Sequence, residues 1–129
     1  MVDVLAPISV GELIDKITIL RIKAGKIRDG AARRNVGHEL DRLVQIRAEL
    51  DLASDLGEIE EQLLDVNSRL WKVEDDLRDL ERLRDFGARF VELARSVYAL
   101  NDRRAALKRK INEVTSSGIV DEKSYHSYT

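Results

Sequence analysis

From Leu56 to Leu80 the apolar residues are Leu56, Ile59, Leu63, Val66, Leu70, Val73, Leu77 and Leu80, in alternating steps of three and four. That is the a/d seam of a heptad repeat, and it keeps one face of an α-helix turned toward a partner. A second seam, Phe90, Leu93, Val97, Leu100, Leu107, Ile111 and Val114, follows a break in phase at Asp85-Phe86-Gly87. The break predicts a hairpin between helices at 55–84 and 88–115. The alternative, one unbroken helix from Leu56 to Val114, would be roughly 90 Å long. Charge favours the hairpin. The stretch from Glu58 to Glu81 holds nine acidic and three basic residues, and that from Arg89 to Glu113 seven basic and three acidic. Folding antiparallel about Asp85 sets the acidic start of one helix beside the basic end of the other, which fixes register more than stability. In that register, facing residues have numbers summing to about 171, so Asn67 lies near Arg104, Trp71 near Leu100 and Asp75 near Arg95 or Ser96.

Earlier in the chain, Val2 and Val4 alternate with polar neighbours and Pro7 precedes Ile8, a short extended lead over 1–8. Ser9-Val10-Gly11-Glu12 has the spacing of a capping box, with Ser9 accepting from the amide of Glu12 and Glu12 reaching back to that of Ser9. A helix over 9–29 follows. Its apolar stripe, Val10, Leu13, Ile17, Leu20, Ala24 and Ile27, is widened by Ile14, Ile19 and Ile22, the pattern of a central helix with several neighbours. Gly30, after a basic last turn, reads as its stop, and residues 31–37 read as a loop. Leu40, Leu43, Val44, Ile46, Leu50 and Leu52 then predict a helix over 36–53, with Arg47 interrupting the seam. Ser54 or Asp55 would cap the next helix. The tail, 118–129, is too mixed for a helix and too aromatic for a free end, so it is expected to dock back on the bundle, against residues 2–5.

The expected fold is therefore all-α: a helical bundle of about four helices built on a long antiparallel coiled-coil hairpin, with short extended segments at both ends and one domain over 1–129. A charged fraction of 36% with one Pro and few aromatics agrees with long solvated helices. Zero Cys excludes disulfides and thiolate chemistry. No basic leader or long apolar run is present, so the chain reads as cytoplasmic, without a membrane span. A net charge of −2 argues against nucleic acid. His38 and His126 lack metal-ligand spacing. The serines have no base and acid in a triad order.

Chemistry concentrates in polar stripes beside the seams. Arg95, Tyr98 and Asp102 form one on the last helix, with Asn101 beside it; Asn67, Trp71, Glu74 and Arg78 form another, with Asp75 adjacent. Brought together, these groups are suited to an anionic or sugar-like small molecule, with Arg95 as bidentate anchor and Trp71 or Tyr98 as stacking surface. The other reading is interhelical ion pairs that set register. Asp15, with Thr18 and Arg21 on its helix, is either a partly buried partner of a base on the last helix or a group solvated at the seam's edge, and the second is the expectation for an unpaired carboxylate.

The stretches Ile8 to Leu20, Asn67 to Asp75, Leu93 to Tyr98 with Asn101-Asp102, and Glu122-Lys123-Ser124-Tyr125 resemble an uncharacterised bacterial family, a domain of unknown function, over nearly the whole chain. The family pattern carries an acidic residue where this chain has Arg21. The resemblance implies a small cytoplasmic protein associated with glycosyltransferase-like proteins and hence with cell-surface sugar assembly. The matching positions Asp15, Lys16, Asn67, Trp71, Asp75, Arg95, Tyr98, Asp102, Lys123 and Tyr125 form the candidate ligand-binding set, with no catalytic residue, metal ligand or cofactor. Two functions compete. One is a protein-protein interaction or scaffold module, a homodimer. The other is a small all-α ligand binder or enzyme, since Leu13-Ile14-Asp15-Lys16-Ile17 is similar to the first helix of chorismate mutases, although the basic set that supports that activity is missing.

Overall fold

The computed structural model describes residues 2–52 and 56–128. Among them four helices pack together: α1 (Val10–Lys26), α2 (Gly30–Glu49), α3 (Leu56–Arg82) and α4 (Ala88–Thr115). The fold is an all-α bundle.

Ser9 starts α1, its Oγ accepting from the amide of Glu12 at 3.0 Å. The reciprocal half of the expected capping box is replaced. Glu12 turns instead to Lys108 of α4, 2.5 Å away, and the next amides find partners across the bundle. Gly11 N donates to Asn112 Oδ1 at 2.7 Å, and Val10 N to Ser117 Oγ at 3.1 Å. The free donors that every helix start carries are thus satisfied by α4 and the residues after it. Gly11 makes this crossing possible, because a Cβ there would lie 2.5 Å from the Lys108 carbonyl oxygen.

α1 buries Leu13, Ile14, Ile17, Leu20 and Ile22 and touches all three other helices. It runs against α4, since Gly11 meets Asn112 and Asp15 meets Arg104. Gly30 does not end it. The Asp29 carboxylate accepts from Ala32 N at 2.9 Å, and α2 begins at Gly30 and runs through the expected loop over 31–37. A side-chain cap immediately before an Ala-rich turn outweighs the stop signal of the glycine. At its far end α2 stops at Glu49, and Leu52 folds onto the core. Arg47 breaks the seam of α2 because it pairs with Glu60 of α3. The proposed caps Ser54 and Asp55 lie outside the described residues.

α3 and α4 reverse through a five-residue turn. Asp85 N donates to Leu80 O at 2.9 Å and Arg84 N to Glu81 O at 3.0 Å, the paired bonds of a Schellman motif, with Arg84 left-handed at φ 55°. α4 ends the same way through Ser116, φ 53°. The main core, Ile14, Leu56, Ile59, Leu63, Val66, Leu107 and Ile111, sits where α1 covers the open end of the hairpin. α1 has 17 residues and α3 has 27, so the rest of the seam, Val73, Leu77 and Leu80, is only half-buried.

The tail runs back along α4, tied to Asp102, Arg109 and Tyr98, while the lead is drawn to α2 by an Asp3–Arg42 ion pair of 2.9 Å. Contacts that tether the tail include Ser9 Oγ to Asp121 at 2.5 Å, Arg109 to Glu122 at 3.1 Å, Lys123 to Asp102 at 2.6 Å, and Tyr128 against Tyr98, ring centroids 4.8 Å apart.

Candidate functional site

The helices bring polar residues together at two levels, one inside the bundle and one above it. Inside, Asp15 is fully buried on α1. Arg104 of α4 meets it with both arms of its guanidinium, Nε to Oδ1 at 2.9 Å and Nη2 to Oδ2 at 2.5 Å. Asn67 of α3 donates to Asp15 Oδ1 at 2.9 Å and to Thr18 Oγ1 at 2.8 Å, and Thr18 donates to the Asp15 carbonyl at 2.7 Å. A buried carboxylate is tolerated when it is paired and its remaining acceptors are used, and here both conditions hold. The bond to Asp15 raises the Arg104 guanidinium further above its ordinary range against the opposing effect of burial, so it is permanently charged. One polar contact thus joins α1, α3 and α4.

Above, the tail spans α4 and encloses a groove of about 1190 Å³ lined by Tyr98, Asn101, Arg104, Arg109, Lys123 and Tyr125. Arg104 belongs to both levels. Its inner edge holds Asp15 and its side chain remains 30% exposed toward the groove. Lys123 salt-bridges Asp102 and lies 4.9 Å from the Tyr125 ring centroid. The Lys123 hydrogen bond, followed by its charge and a weaker bond from Tyr128, holds the Asp102 carboxyl below the usual carboxylate range against a smaller effect of desolvation. Tyr128 is shifted upward, first by desolvation and then by the neighbouring Asp102 carboxylate.

Of the candidate residues, Asp15 and Asn67 meet in the interior, and Tyr98, Asp102, Lys123 and Tyr125 meet at the groove. Lys16 is exposed on α1. Trp71 is half-buried on α3 and lines neither cleft, and Asp75 is exposed. Arg95 lines a shallower cleft of about 580 Å³ with Ser96, Tyr98 and Tyr128. Among the described residues Asp75 and Arg95 take part in no ion pair, so the expected gathering of indole, guanidinium and carboxylates around them does not form. At that level the hairpin has no third helix to desolvate the flanking positions. Arg104 and Tyr128 were missing from the set. The register sum that placed Asn67 near Arg104 was the available signal for the first. Nothing in the pattern marked the second, because the path of an extended tail leaves no periodicity. Among the described residues no group of His, Asp and Glu has the arrangement of a metal site.

Residues 4–129 match a family described as "Family of unknown function (DUF6165)". The chain belongs to this family. As a DUF6165 protein it is an all-α bundle in which no described helix is long and apolar enough to cross a membrane, and the resemblance drawn from its sequence holds at the level of the family. No curated protein and no solved structure matches it.

Proposed function

We propose that this DUF6165 chain is a helical protein-interaction module that acts as a homodimer, pairing through the outer face of α2. The observation that carries the reading is that the backbone of α2 packs on α1, with a single Arg47–Glu60 ion pair reaching α3, so that its outer face is left uncovered and carries Arg34 near one end and Glu49 at the other. Val36, Leu40 and Leu43 turn inward, whereas Arg34, His38, Asp41, Gln45 and Glu49 form an exposed stripe. Two such stripes, antiparallel about a two-fold axis near Asp41, set Arg34 of each copy beside Glu49 of the other. Within one chain Arg33 and Arg34 sit at the positive end of the helix dipole, an arrangement that a neighbouring acidic helix end relieves. Val44, Ile46 and Leu50 stay exposed on the flanks, and the lead adds Val2, Val4 and Leu5, which are 91, 87 and 83% exposed. Exposed apolar groups beside a self-complementary charge stripe mark a docking surface.

The free end of the hairpin, where Leu83 and Phe86 are exposed, is then left for a second protein. The family resemblance implies a glycosyltransferase-like protein as a partner, and this exposed apolar end is the surface we assign to it. Catalysis has no place in this reading.

Sedimentation velocity tests the dimer. Arg34→Glu and Glu49→Arg should each shift the protein toward monomer, and the double exchange should restore the dimer, the signature of complementary charges. A monomer at about 100 μM, or a dimer indifferent to both exchanges, sinks the reading.

A further inference from the structure

We infer that the groove between α4 and the C-terminal segment binds a ring compound bearing hydroxyl groups and a single phosphate, a sugar monophosphate. This goes beyond the dimer and rests on different residues, since α2 and α4 make no packing contact in the fold.

The tail is tethered without filling the space beneath it. Every residue from Ile119 to Tyr128 is exposed, although contacts of Asp121, Glu122, Lys123 and Tyr128 hold this segment to Ser9 and α4. A segment docked for stability alone would bury its apolar side chains, yet Val120 and Tyr125 are 48 and 80% exposed. What remains is a groove of about 1190 Å³, just above the usual span of small-molecule sites.

Its lining sets the ligand chemistry. Tyr98, Tyr125 and Tyr128 offer aromatic faces suited to the C–H face of a sugar ring, with phenols at their rims. Asn101 and Asp102 can bond hydroxyls, the amide as donor and acceptor, the carboxylate as acceptor. Arg109 and Lys123 are the phosphate partners. Both are held by carboxylates that are 77 and 46% exposed, Glu122 and Asp102. Such exposed pairs are weak, so a phosphate, which engages a guanidinium bidentately, can take their place. Arg104 and Lys108 add positive charge to the floor, partly neutralised by Asp15 and Glu12. The count of phosphates follows from the opposing acids. Asp102, Asp121 and Glu122 line the same groove, and this nearly balanced charge accepts one phosphate and disfavours the chain of charges in a nucleoside triphosphate.

Two-dimensional amide NMR of the full chain, titrated with glucose 1-phosphate, inorganic phosphate, glucose and ATP in parallel, tests this. Glucose 1-phosphate should give saturable shifts confined to residues 98–109 and 121–128, with affinity at least about tenfold above that of any other probe. Lys123→Ala and Arg109→Ala, both at exposed positions, should each weaken it by about tenfold, whereas Lys110→Ala, on the same helix outside the groove, should leave it unchanged. Absence of saturable shifts at about 10 mM overturns the assignment. So does equal binding of inorganic phosphate, which would reduce the groove to an anion patch, or tighter binding of ATP. Loss of binding in Lys110→Ala equal to that in Lys123→Ala overturns it as well, by showing charge without a site.

Discussion

At the scale of single residues, Asp15 has the largest structural consequence. It is a full charge with no exposed surface, accommodated because Arg104 meets it with two bonds and Asn67 with a third. The expectation for a carboxylate without a local partner was solvation at the seam's edge, and the structure buries it instead. The pairing came from α4, 89 positions away, and local periodicity has no information about such a contact. Asp15→Ala removes the carboxylate and leaves a half-buried guanidinium and a buried amide without it. Equilibrium urea unfolding should show a loss of about 3 kcal/mol, the low end for a broken buried pair because Arg104 keeps some access to water. A loss below about 0.5 kcal/mol would show that the network does not hold the helices together.

At the scale of elements, the helices followed their seams and the discrepancies arose at their ends. Arg47 and Gly30 looked like interruptions of pattern, and both are explained by partners that periodicity does not register: Glu60 on the next helix and the Asp29 cap. The C-terminal segment is held largely by contacts between exposed residues. Its tether through Lys123 depends on an ionised Asp102, whose carboxyl lies below its ordinary value of 3.8 in the folded chain. A depressed value means that the tether is complete above the ordinary range and lost as pH falls through the folded one. Tyr128 has the opposite sign: its raised phenol supports docking at neutral pH and ceases to donate when pH climbs past its folded value. Amide spectra recorded from neutral pH down to about pH 2.5 should therefore show residues 121–128 moving to random-coil positions before the helices lose their dispersion. Tail signals that melt only together with α1 would show that the ion pairs are not its hold.

At the scale of the whole molecule, stability is distributed unevenly. α1 covers the end of the hairpin that holds Leu56, Leu63 and Ile111, while Leu83, Phe86 and Val91 at the other end remain 50–70% exposed. Native-state hydrogen exchange should place Ile59 to Val66 and Leu107 to Ile111 in the slowest class, opening only with global unfolding. Residues 77–93 should exchange by local opening at a smaller free energy. Uniform protection along both helices would contradict this division. The sequence by itself determined the number and type of elements, the reversal near Asp85 and the central place of α1, because heptad spacing, capping and charge sign act between residues a few positions apart. Tertiary structure alone decided which charges are buried, that Gly11 lets α1 and α4 touch, and that the tail lies along α4. Those outcomes depend on distances between helices, and in an all-α chain such distances are set by the joint packing of several faces, each of which reads on its own as one more amphipathic stripe.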